Sequence, residues 1–374
     1  MNALPIDLPT PERSALDWER LVETFTWLRS LAGCPQDPVH HAEGDVWTHT
    51  RMVCEHLVSM PAWKILPETE RAIVLAAAIF HDIAKPATTR CDADGRITAH
   101  GHARRGELMA RSELYRMGVP FALREAVAAL VNVHQVPFFL VDERDSLRRA
   151  ITLSHRTRCD HLALLSEADM RGRICEDASR ALDNISLFRT LSDEEGITRS
   201  PWEFANETSR FEFFRKPERD PRYTAWEGGE RFEVVMLSGL PGSGKDTWVD
   251  AHGGGREVIS LDALRDSLEA APTGDQGAVI MAAKERARTL LRRRESFVWN
   301  ATNLTRQRRA ELVTLFSDYG ARVRVVYVES PWKDLVAQNK ARERKVPLAA
   351  IEAMIEKWEV PDATEAHSVE YVVR

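Results

Sequence analysis

The segment Gly239–Leu240–Pro241–Gly242–Ser243–Gly244–Lys245 directly follows the apolar run Val234–Leu237 and precedes a helix-like stretch from Asp246. No other pattern in the chain dictates as much. A loop of this kind wraps phosphate oxygens with successive backbone N–H groups, adds the dipole of a helix N-terminus, and sends its lysine to the β and γ phosphates. Gly239, Gly242, Ser243, Gly244, Lys245, Asp246 and Thr247 are therefore expected to bind ATP or another NTP together with Mg²⁺. Asp246 stands where a Mg²⁺-binding Ser or Thr normally follows the lysine, and Thr247 comes one place later. Both are candidates for the metal side of that site.

The loop belongs to a series of short apolar runs, 232–240, 257–262, 296–303, 323–330 and 368–373, separated by stretches of helical periodicity. Strands alternating with helices imply a parallel sheet covered on both faces. The second run ends in Ser260–Leu261–Asp262, with Arg265 one helical turn on. At the carboxyl edge of the sheet an acid can take the proton of an attacking hydroxyl, and an arginine can hold a phosphate on the acceptor. Asp262 would equally suit a helix cap.

Residues 14–180 read instead as helices, broken at Pro35, Pro38, Pro61, Pro67, Pro86, Pro120 and Pro137. Ten of the twelve histidines lie at or before His161, so this half has a use for imidazole. The run Arg71–Ala84 is apolar until it presents His81–Asp82, with Lys85 a turn later. Adjacent His and Asp at the end of a buried helix are costly unless both are satisfied, and a metal ion satisfies both. His49, His102, His134 and Asp169 fall on separate helices or their ends, which is how helical bundles assemble dinuclear centres. His102 is preferred to His100, and His40, His41, His56, His155 and His161 are read as structural.

A two-domain chain follows: an N-terminal all-α bundle over 1–185, a connector over 186–230 with its boundary at Glu227–Gly228–Gly229–Glu230, and an α/β P-loop domain with a parallel sheet over 231–374. At 374 residues two domains are also the natural division. Net charge is −6 overall, but residues 231–374 carry 22 Lys+Arg against 21 Asp+Glu. The second half is thus the better polyanion binder, with basic clusters at 286–294, 306–309 and 340–345 that suit either a phosphate surface or solvated helix faces. The five cysteines are scattered without a Cys-x-x-Cys pair, as expected of reduced, buried thiols. With neither a signal pattern nor a long apolar span in view, a cytoplasmic protein with no membrane partner is expected.

Residues 232–360 resemble the kinase domain of the polynucleotide 5′-hydroxyl kinases. The resemblance implies that Asp262 is the general base, that Arg265 contacts the neighbouring phosphate, and that Lys245 and Arg342 stabilise the transferring phosphoryl group. Asn300–Leu304 with Arg308–Arg309 is similar too, although Ala301 stands where phage-type members carry an acid. The lid resembles Gln338–Arg342, with Gln338 in place of an expected arginine and Arg344 as a stand-in. In the first half, the order His49, His81–Asp82, His102, His134, Asp169 resembles the HD phosphohydrolases. That resemblance implies two divalent transition-metal ions (Mn, Fe, Co, Ni or Zn) bridged by Asp82, with Lys85 near the substrate phosphate.

The two halves in this order resemble the bacterial HD-Pnk family. Its implied role is healing of RNA or DNA ends: phosphorylation of a 5′-OH and hydrolysis of a 2′,3′-cyclic phosphate and the monophosphate it leaves, with an RNA ligase acting downstream. An HD nucleotidase joined to a small-molecule kinase, or a nucleotide-gated regulatory module, are the alternatives.

Overall fold

The structure is a computed structural model that describes residues 4–10, 15–227, 232–268, 276–342 and 345–374. Arg344 and the Gly228–Glu230 part of the expected boundary lie outside the described residues. The chain divides into two compact units, Met1–Trp202 and Glu203–Arg374. Of residues 186–230, the first part continues the helix Ala178–Glu194, which buries Ile185 and Phe188 in the first unit. A later part forms the helix Glu207–Arg215, which buries Phe211 and Phe213 in the second.

The first unit is helical. At its centre lies Glu68–Phe80, whose residues from Ala72 to Phe80 are all buried. A helix apolar on every side must be surrounded by others, and Val46–Ser59, Phe121–Val133 and Cys159–Arg171 pack against it. Asp45 starts Val46–Ser59 by accepting from the Thr48 N–H at 2.8 Å and the Thr48 hydroxyl at 2.7 Å. One departure from the all-helical expectation is a small antiparallel hairpin, β1 (Arg90–Cys91) with β2 (Ile97–Thr98). Its turn is closed by Asp92, whose carboxylate accepts from the Asp94 and Arg96 N–H groups, and by Gly95 at φ 79. The helix ends face one another. His81 and His134 cap the C-termini of their helices, Asp169 lies in the last turn of its own, and His49 and His102 lie in first turns.

The second unit is a five-stranded sheet of β3 (Glu233–Ser238), β4 (Glu257–Ser260), β5 (Phe297–Asn300), β6 (Arg322–Glu329) and β7 (Ser368–Val373). The strand order is β4-β5-β3-β6-β7 and every pairing is parallel. All five expected strands are present. On β3, Val234 and Met236 pack with Trp299, Leu312 and Phe316, while Val235 and Leu237 pack with Trp248, Val249 and Val298. Both faces are covered, and so the strand reads as a continuous apolar run rather than an alternating one. Among the described residues no helix is long and apolar enough to cross a membrane.

Where Cys159–Arg171 ends, Gly172 is pressed against the backbone of Val46–Ser59: a Cβ there would lie 2.6 Å from Val53 Cγ2 and 2.8 Å from its amide nitrogen. Its φ of −79° suits any residue, so proximity alone requires glycine. Gly172→Ala is expected to cost about 1–3 kcal/mol as an overpacking change, read as a lower melting temperature by circular dichroism.

Candidate metal centre and phosphate loop

Four imidazoles and two carboxylates meet where the helices of the first unit end. His49 Nε2 lies 3.1 Å from Asp169 Oδ1, 3.3 Å from His81 Nε2 and 3.8 Å from Asp82 Oδ2. His81 Nε2 is 3.1 Å from Asp82 Oδ2, His102 Nε2 is 3.5 Å from Asp82 Oδ1, and His134 Nε2 is 3.9 Å from Asp169 Oδ2. All are buried except His102, which is partly exposed. His100 is exposed and lies outside the cluster.

Each ring is oriented from behind. The Nδ1–H groups of His81, His102 and His134 donate to the carbonyls of Ala78, Ala99 and Val131 at 2.8 Å, and that of His49 faces the Gly172 carbonyl at 3.2 Å. This arrangement leaves every Nε2 lone pair turned inward. Asp82 Oδ1, His102 Nε2 and His134 Nε2 are buried without a hydrogen-bond partner. Unpaired acceptors at such depth are costly, and two triads, His49/His81/Asp169 and Asp82/His102/His134, each place their ligand atoms within 4.8 Å of one another. Neutral imidazole with carboxylate is a donor set that fits divalent ions of intermediate softness.

Burial favours the neutral ring at two of these histidines, whereas at His49 the same burial is outweighed by hydrogen bonds to Asp169 and Glu43, which raise its pKa. Burial lowers His134 to about 3 and also depresses His102, so both are neutral near pH 7. Burial pushes Asp82 up, but the charges of His81 and Lys85 outweigh it and hold the carboxyl well below its ordinary range. Lys85 Nζ is 2.8 Å from Asp82 Oδ2 and donates to Gln36 Oε1 at 2.6 Å. Asp169 is gripped by Arg173 through two bonds of 3.0 and 2.9 Å. Gln36, Arg173 and Glu43 have no role in the sequence reading, and His41 is read there as structural. The i,i+4 spacing of Asp169 and Arg173 was a usable signal, whereas the others sit in loops without periodicity.

In the second unit the loop after β3 is held open by Gly239, Gly242 and Gly244, all at positive φ. A Cβ on Gly239 would lie 2.3 Å from the Val328 carbonyl, so that turn admits only glycine. Lys245 Nζ spans the loop, donating to the Gly239 and Leu240 carbonyls at 3.0 and 2.9 Å. Ser243 Oγ is buried without a partner. Asp246 accepts from Asn300 Nδ2 at 2.7 Å and lies 3.5 Å from Arg342, while Thr247 is exposed. The guanidinium of Arg374, at the end of β7, lies beneath Gly244: a Cβ there would be 3.4 Å from its carbon and both terminal nitrogens.

Asp262 is exposed and ion-paired with Arg265 within the helix Leu261–Ser267 that follows β4, close enough for its charge to act on Lys245. The helix cap is Ser260, which accepts from the Ala263 N–H. Some residues of the basic clusters are ion-paired within the unit. Arg309 is fully buried on Glu365, Arg306 pairs with Asp362, Arg286 with Glu257 and Arg288 with Glu285. The described cysteines are free, but only Cys34, Cys54 and Cys159 are buried; Cys91, in the hairpin, is exposed.

Comparison with known proteins agrees with this division. An HD domain model matches residues 45–160 and an AAA domain model matches residues 234–361. The CC-adding tRNA nucleotidyltransferase of Thermus thermophilus is 38% identical over 123 residues, 33% of this chain. The chain spans 26% of the length of that relative. A gluconokinase structure from Sinorhizobium meliloti aligns over 38% of this chain and 84% of its own, at 24% identity and a TM-score of 0.30. An APS kinase from Mycobacterium tuberculosis aligns over 38% and 90%, at 21% identity and a TM-score of 0.28. By the two domain models the chain joins an HD domain to an AAA domain that carries the phosphate loop.

Burial lowers the Lys245 ammonium from its ordinary value to about 8. A bound phosphate favours the charged form, so above about pH 8 ATP binding must take up a proton and weaken by up to about tenfold per pH unit. Isothermal titration in buffers of different ionisation enthalpy reads the proton uptake directly, and pH-independent affinity would refute it.

Proposed function

We propose that the chain is a bifunctional nucleic-acid end-healing enzyme acting on RNA. The observation that carries this reading is the pairing, in one chain, of an imidazole–carboxylate cluster with unpartnered inward atoms and a phosphate loop flanked by an acid and two arginines. Transesterification breaks RNA into a 2′,3′-cyclic phosphate and a 5′-OH. Ligation needs the opposite chemistry at the 5′ end, and two domains of these classes supply both repairs. The HD-region relative is itself named for adding CC to tRNA.

In the kinase domain, Lys245 and the loop N–H groups hold the β and γ phosphates of the NTP. Asp262 takes the proton as the 5′-oxygen forms its bond to the γ phosphorus and the bond to the β-phosphate oxygen breaks. Arg265 holds the acceptor's neighbouring phosphate, and Arg342 neutralises the charge that spreads over the transferring group. Asp246, with Thr247 beside it, serves Mg²⁺.

In the HD domain, His49, His81, Asp82, His102, His134 and Asp169 would hold two divalent ions, which supply Lewis acidity and a lowered water pKa when bound. Lys85 places its ammonium where a substrate phosphate would meet Asp82, and the buried walls exclude other nucleophiles. Water adds to phosphorus while the 2′- or 3′-oxygen leaves with a proton, and a second round removes the monophosphate. A cytoplasmic location and a downstream RNA ligase belong to the same reading.

The internal pairing of Arg286, Arg306 and Arg309 favours a second reading, in which the kinase acceptor is a small hydroxyl compound. Binding against salt separates the two. A polynucleotide held by several cations gives a steep negative slope of log K on log salt, and a small acceptor gives a shallow one.

The direct test is mass spectrometry of a short RNA bearing a 5′-OH and a 2′,3′-cyclic phosphate after incubation with the protein, ATP, Mg²⁺ and Mn²⁺. The expected product gains a 5′-phosphate and loses the cyclic phosphate. Lys245→Ala should lower the first step by about a hundredfold or more while sparing the second, and Asp82→Asn should do the reverse. An unchanged RNA would overturn the proposal.

A further inference from the structure

His49 differs from the other three histidines of the cluster. Besides the Gly172 carbonyl, its Nδ1 lies 2.9 Å from Glu43 Oε1, whereas among the described residues His81, His102 and His134 have only a backbone carbonyl behind the ring. Glu43 has 1% of its side chain exposed. The same Oε1 meets His41 Nδ1 at 2.7 Å, and Oε2 accepts the Ile174 N–H at 2.8 Å. Three partners converge on one buried carboxylate. A group so deeply desolvated costs stability unless it is fully bonded.

We propose that Glu43, fixed by His41 and the Ile174 N–H, is a positioning residue that makes the His49/His81/Asp169 triad the tighter of the two ion positions. This rests on the metal-centre reading above. A carboxylate behind Nδ1 locks the proton on that nitrogen, aims Nε2 into the cluster and raises its strength as a donor. The Asp82/His102/His134 triad has no such support, and His102 within it is partly exposed. The His41/Glu43/His49 atoms also lie within 4.8 Å of one another. They do not form a third ion site, because both His41 Nδ1 and His49 Nδ1 are turned onto the carboxylate that an ion would need.

Equilibrium dialysis of the full chain against Mn²⁺, followed by metal analysis, tests the idea. Wild type is expected to bind two Mn²⁺ in separable steps. Glu43→Gln keeps the shape and an oxygen for the Ile174 N–H but removes the charge; it should weaken the tighter step by about 10–100-fold and leave the weaker one in place. Glu43→Asp should recover part of that loss. His41→Gln, which leaves the carboxylate intact, should give a smaller loss, and it serves as the readout if Glu43→Gln fails to fold. A lower melting temperature with unchanged Mn²⁺ affinities in these variants would make Glu43 a loop clasp and overturn the proposal. Wild type that takes up no Mn²⁺ would instead bring down the metal-centre reading itself.

Discussion

The first unit is governed by the burial of two carboxylates, Asp82 and Asp169, at the heart of a helical core. Neither ionised group can sit in such a place without positive charge or donors around it. The fold meets that demand with side chains from five helix ends, an ammonium from Lys85 and a guanidinium from Arg173. Helices whose ends converge in this way cannot slide along one another without parting the imidazoles from the acids. The all-apolar helix Glu68–Phe80 makes sense in this light, since it holds the His81–Asp82 pair at a fixed depth and contributes no polar group of its own along its buried stretch.

The second unit answers the opposite problem. There the requirement is to receive an anion, and the loop after β3 does so with backbone N–H groups, Lys245 and two arginines, Arg342 and Arg374, approaching from separate elements. Asp246 and Asp262 moderate that positive field, the first through Asn300 and Arg342 and the second through Arg265. The two sites therefore suit different partners: one gathers buried carboxylate oxygens and imidazole nitrogens, a donor set for cations, and the other gathers backbone N–H groups and cationic side chains that suit phosphate.

Much of this was legible in the chain because it follows short-range rules. The loop glycines are dictated by positive φ, the five strands by buried apolar runs, and the six cluster residues by polar side chains standing at the ends of apolar periodicity. The exceptions are long-range. Glu43 lies in an irregular loop and acquires its meaning only when the chain returns at Ile174, more than a hundred residues later. Gln36 reaches Lys85 by the same kind of closure. The arginine clusters suited either a phosphate surface or solvated helix faces, and Arg309 takes neither place: Glu365 holds it in an internal fork that no local pattern announces. The hairpin of β1 and β2 was hidden because two-residue strands are too short to show a period.

The sheet order also bears on how the molecule comes to exist. The strand carrying the phosphate loop is central, and its neighbours β5 and β6 are made about sixty and ninety residues after it. During synthesis β3 therefore waits unpaired while the ribosome supplies its partners, and pairing of that separation is slow. The helical unit, complete by Trp202, is free to close before any of those strands emerges. A nascent chain thus carries an assembled imidazole–carboxylate cluster well before it can grip a nucleotide, and the exposed edges of β3 during that interval are where chaperone capture or mispairing would concentrate.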